Sequence, residues 1–169
     1  MNNDFLNLKD QQVLYEIKDY LEKISVQSTV VEASEHLPLN MLLAVTQEQV
    51  SVNIMYVPLP EDHFTEIRLL QLHAMITATT AADKKNDLLV LLNELNNQSP
   101  FGTFAINEKG ELGFKYIYPV SRFEMPKEEP FQETFSLYLN CLMGFRKVII
   151  HVNNGELSLR DALKDVLAS

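Results

Sequence analysis

The apolar residues of this chain follow two periods, and the switches between them mark its elements. Over Asn7–Ile24, Val13, Leu14, Ile17, Leu21 and Ile24 recur at helical spacing, while Lys9, Glu16, Lys18, Asp19, Glu22 and Lys23 take the other side. That spacing predicts an amphipathic helix. Ser28–Ala33 is rich in β-branched residues and reads as a short strand. Leu37-Pro38-Leu39-Asn40 marks a break. Met41–Thr46 and Val50–Val57 then read as a hairpin, with Val50, Val52, Ile54 and Tyr56 on one face and Ser51, Asn53, Met55 and Val57 on the other. Their connection, Gln47-Glu48-Gln49, lacks glycine, so its turn type stays open. Pro58-Leu59-Pro60 ends the second strand by removing ladder donors. A strand over Glu66–Thr77 competes with a helix. The alternation of Leu70, Leu72, Ala74 and Ile76 with Gln71, His73, Met75 and Thr77 favours the strand.

The period then lengthens again. Asp83 is placed to cap a helix whose buried stripe is Leu88, Leu91, Leu92 and Leu95, and Ser99-Pro100 stops it. Phe101–Ile106 and Glu111–Val120 form a second hairpin around Asn107-Glu108-Lys109-Gly110, with Pro119 ending it. Leu112, Phe114, Tyr116 and Tyr118 share one face. A polar connection carrying Pro126 and Pro130 reads as a loop. The helix Phe131–Val152 follows, with Phe131, Phe135, Tyr138, Leu142, Phe145 and Ile149 as its stripe and Gly144 inside it. Asn153-Asn154-Gly155 reads as a helix stop, and Ser158 with Asp161 as a capping pair for a last helix, Leu159–Leu167. The order α-β-β-β-α-β-β-α-α predicts an α+β fold, a mainly antiparallel sheet with helices packed on a face.

Composition narrows the picture. The 169 residues suit a single α+β domain, and 46% hydrophobic residues are enough for a core. The net charge of −9 is uneven: residues 1–66 hold 3 basic and 11 acidic side chains, residues 67–169 hold 11 and 12. Such a surface repels phosphate backbones, which argues against nucleic acid, and an acidic face attracts a basic partner. No apolar run has the length of a membrane span, and the start MNNDFLNLKDQQ is unlike a signal peptide. The lone Cys141 rules out an intrachain disulfide. These readings together lead to the expectation of a cytoplasmic protein.

Catalytic chemistry finds little support. The five glycines never take phosphate-loop or dinucleotide spacings, and no Gly-x-Ser-x-Gly elbow occurs. Glu35-His36 and Glu61-Asp62-His63 are the best local metal candidates, but exposed loop histidines explain them more simply. Cys141, mid-helix, reads as a packing residue. The expectation is therefore no catalytic residue, no cofactor and no metal. Most aromatic residues are explained as core. The helix Phe131–Val152 is apolar off its main stripe as well, at Leu137, Leu139, Met143, Val148 and Ile150, as in a central or interface helix.

The stretch Leu88–Asn97 (LLVLLNELNN), then Phe101-Gly102-Thr103-Phe104, then Gly110-Glu111-Leu112 and Tyr116, resembles the YbjN-like proteins, which share the fold of type III secretion chaperones. The resemblance covers approximately Met41 to Val152. It implies a chaperone-like core over 31–152 and a small, acidic, commonly dimeric, non-enzymatic protein; the additional C-terminal helix in 156–169 departs from the family pattern. The functional expectation is a protein-binding module, chaperone-like or regulatory. It would be a homodimer holding a polypeptide on an apolar surface with an acidic surround. Phe131, Phe135, Leu139, Leu142 and Met143 are the expected dimer or core contacts. Leu70, Leu72 and Tyr116 are candidates for a client-facing or helix-facing sheet surface. The alternative is a small-ligand protein or enzyme with His63 or His73 in a pocket between sheet and helices.

Overall fold

The structure, a computed structural model, describes residues 3–33, 41–57 and 66–167. Its elements are α1 (Asn3–Lys23), β1 (Gln27–Val31), β2 (Met41–Val45), β3 (Ser51–Tyr56), β4 (Ile67–Thr77), α2 (Lys85–Gln98), β5 (Thr103–Ile106), β6 (Leu112–Ser121), α3 (Glu128–Asn153) and α4 (Leu159–Leu167). The fold is α+β. Six strands form one sheet in the order β1-β2-β3-β4-β6-β5, and the short strand read at Ser28–Ala33 is present as β1. The chain divides into two compact units, Met1–Ala74 with Ile117–Phe135, and Met75–Tyr116 with Ser136–Ser169.

The first unit is a strand meander under a helix. β1, β2 and β3 run antiparallel, with Thr29 opposite Leu43 and Leu43 opposite Asn53, and α1 packs on them. Alternation decides the faces. Leu42, Ala44, Val52, Ile54, Leu70 and Leu72 are buried with Leu14, Ile17 and Leu21 of α1. The glycine-free β2–β3 turn closes with Gln49 donating to the Thr46 carbonyl and holding φ at 59°, a left-handed position that glycine would fill more easily.

The second unit is an aromatic core with α2, most of α3, and α4. Phe114 stacks on Phe104 and on Tyr138, with ring centroids 4.3 and 4.9 Å away. The buried Tyr138 hydroxyl donates to the Phe114 carbonyl at 2.8 Å. Gly102 has φ +77°, and a Cβ there would stand 2.3 Å from the Phe114 ring, so only glycine fits. The Asn96 side chain accepts from the Phe104 amide and donates to its carbonyl, at 2.8 and 3.0 Å. It thereby satisfies the outer edge of β5, which would otherwise offer unpaired groups to another strand. The residues that carry the family resemblance are thus turn, edge and packing devices.

Three local expectations need correction. Asp83 does not cap α2: Lys84 is the N-cap residue and provides no side-chain cap. α3 begins at Glu128, so Pro130 lies in its first turn, where a missing amide breaks no intrahelical bond. β6 runs through Pro119 to Ser121; β5 pairs with it only as far as Lys115, which leaves Pro119 without a ladder bond to make on that side. The other end signals are present. Gly155 (φ 73°) and Glu156 donate to Val152 and His151, a Schellman stop for α3. Ser158 and Asp161 cap α4, with the Asp161 amide 3.2 Å from the Ser158 hydroxyl.

Candidate functional site

Of the residues expected to form contacts, Phe131, Phe135 and Leu142 are fully buried, while Leu139 and Met143 are half-buried on α3. Leu70 and Leu72 lie in the core of the first unit. Tyr116 is half-buried and stacks on Phe101 at 3.9 Å. Phe131 meets Tyr118 edge to face and lies alongside Phe135, at 5.6 and 6.3 Å.

The residues of β2, β3 and β4 that alternate with the core set form a second face in the first unit. Met41, Leu43 and Val45 on β2, Met55 on β3 and Leu69 on β4 are half-buried there, with Asn53, Gln71 and His73 among them. Cross-strand register sets Met41 opposite Met55 and Met55 opposite Gln71. Methionine side chains are flexible and polarizable, so such a row adapts to different apolar surfaces. The segments of this unit carry 6 basic and 15 acidic residues, the whole net charge of the chain.

One cluster in this unit was not legible beforehand. Arg68 forms an ion pair with Asp10 of α1 and lies over the Tyr56 ring, 4.2 Å from its centroid. Burial, then the neighbouring Arg122 guanidinium, push Arg68 down to about 10, so it stays charged at neutral pH. Lys9 donates to the Arg122 carbonyl beside it. The partners are far apart in sequence, and no local spacing announces them. Asp10 is itself buried, and Arg122 adds a like charge near Arg68.

In the second unit, α3 and the segment leading through α4 border an open cleft of about 350 Å³. Phe145 and Val148 of α3 face Leu157 and Val166 across it, and Gly144 opens one side. Lys147, His151 and Asp165 supply its polar groups. His151 Nδ1 is 2.5 Å from Glu156, which the Schellman turn brings back over the helix end. Of the two histidines expected to mark a pocket, His73 lies on β4 and His63 lies outside the described residues, as do Glu35-His36 and Glu61-Asp62. Among the described residues no three His, Cys, Asp or Glu side chains converge as metal ligands. Nor is any helix among them long and apolar enough to cross a membrane.

No family model matches the chain, and no curated protein matches it. Among solved structures, it is similar to YbjN from E. coli, described as a proposed transcription regulator. The two share 14% identity with a TM-score of 0.47, over 86% of this chain and 94% of that one.

Proposed function

We propose that this protein is a non-enzymatic binding module of the cytoplasm, chaperone-like or regulatory, that takes an apolar polypeptide segment with basic flanks. The observation that carries the reading is the second face of the sheet in the first unit, where Met41, Leu43, Val45, Met55 and Leu69 form a half-buried apolar surface. Burying that surface supplies affinity, and the acid surplus of the same unit steers a cationic partner. The test is fluorescence polarisation with a labelled peptide of alternating leucine and valine flanked by lysines. Met55→Glu should weaken binding about tenfold while circular dichroism is unchanged, and raised salt should slow association. Equal affinity of wild type and Met55→Glu would remove the sheet face from the account.

The same reading includes a homodimer. Leu139 and Met143 stand one turn apart on α3, and both are half-buried. An apolar strip of this kind supports a helix-to-helix contact between copies. Light scattering on the full chain should give twice the monomer mass of 19.4 kDa at high micromolar concentration. A clean monomer there would exclude the dimer.

A further inference from the structure

We infer that the cleft between α3 and α4 is a binding site for a small amphipathic monocarboxylate, an apolar chain or ring ending in one anionic group. Its volume of about 350 Å³ is at the lower end of the ~300–1,000 Å³ typical of small-molecule sites. Phe145, Val148, Leu157 and Val166 provide an apolar channel for the body of such a ligand. Lys147 lies at the same cleft and makes no ion pair among the described residues. His151 is already engaged by Glu156, which leaves Lys147 as the group to receive a carboxylate.

Two further features narrow the ligand. Asp165 in the same lining and Glu156 on His151 oppose any anion, so the single Lys147 charge can offset one carboxylate at most and a dicarboxylate is disfavoured. Gly144 is the other. Glycine inside a helix weakens it, and packing does not require glycine here, because an added Cβ would meet nothing within 4 Å. The space above it belongs to the cleft. A residue that weakens the helix while deepening an apolar hollow makes sense when the hollow is occupied.

The experiment is an amide NMR titration of the full chain with octanoate, and in parallel with octanol, octylamine and octanedioate, all below micelle concentrations. Octanoate should shift resonances of residues 143–157 and 165–166, and bind about tenfold more tightly than the other three. Lys147→Gln should abolish that preference while leaving octanol binding unchanged. Gly144→Leu should block all four ligands with the fold intact by circular dichroism. The inference is overturned if octanol or octylamine binds as well as octanoate, if the shifts lie elsewhere, or if none appears at millimolar octanoate. None of these outcomes depends on the polypeptide-binding face.

Discussion

Single residues show where this molecule is most sensitive. Asp10 is the clearest case, 9% exposed and paired with Arg68, whose guanidinium already sits near that of Arg122. Removing the carboxylate leaves a half-buried cation facing a like charge. Asp10→Ala should therefore cost about 3 kcal/mol, read as a lowered urea midpoint with an unchanged slope. A loss below about 0.5 kcal/mol would mean the pair behaves as an ordinary surface salt bridge. Tyr20 gives a pH signature. Its hydroxyl lies 2.9 Å from the Pro126 carbonyl and 3.0 Å from Glu16, and burial, then Glu16, push it up to about 12. In the unfolded chain the phenol ionises near 10. The neutral form therefore stabilises the fold fully below pH 10, and that contribution is lost as pH rises towards 12. The urea midpoint should fall across that window in wild type and fall less in Tyr20→Phe; equal slopes would contradict the assignment. Tyr56 is raised by burial in the same direction.

At the scale of elements, much was legible because alternation and helical stripes are local. β2, β3 and β4 declare themselves through Leu42, Ala44, Val52, Ile54, Leu70, Leu72 and Ala74, every second residue buried. The stops at Gly110 and Gly155 are legible for the same reason, since both need positive φ. The misreadings have a common physical source: proline and acidic residues are permissive signals. Pro130 is tolerated inside a first turn, Pro119 beyond the stretch of β6 that pairs with β5, and Asp83 is left exposed beside a helix that starts without a side-chain cap. The cleft was not legible because Phe145 and Val148 read as a helix stripe, while their opposite wall depends on the fold-back after Gly155. Asn96 shows how a polar residue in a leucine helix acquires a structural reason. Its amide replaces a neighbouring strand at the edge of β5. Asn96→Ala should destabilise by about 1–2 kcal/mol and should also promote self-association in sedimentation, because the Phe104 edge becomes available. A purely destabilised but monodisperse variant would show that the edge needs no protection.

For the whole molecule, charge and apolar surface are allotted unequally. The segments of the first unit carry 6 basic and 15 acidic residues; those of the second carry 8 of each. The adaptable methionine row belongs to the acidic unit, and the cleft with its lysine to the neutral one. The two proposed ligands, a basic-flanked polypeptide and a small apolar anion, are thus assigned to different units of one chain. The methionines also provide the most direct probe, because they report from separate places: Met41 and Met55 on the sheet face, Met125 after β6, Met143 on α3. With ¹³C-methyl methionine in the full chain, titration by the basic-flanked apolar peptide should shift and broaden the Met41 and Met55 methyl signals, with those of Met125 and Met143 unchanged. Unmoved Met41 and Met55 signals at saturating peptide, or shifts confined to Met125 or Met143, would contradict the claim that the sheet face binds the polypeptide.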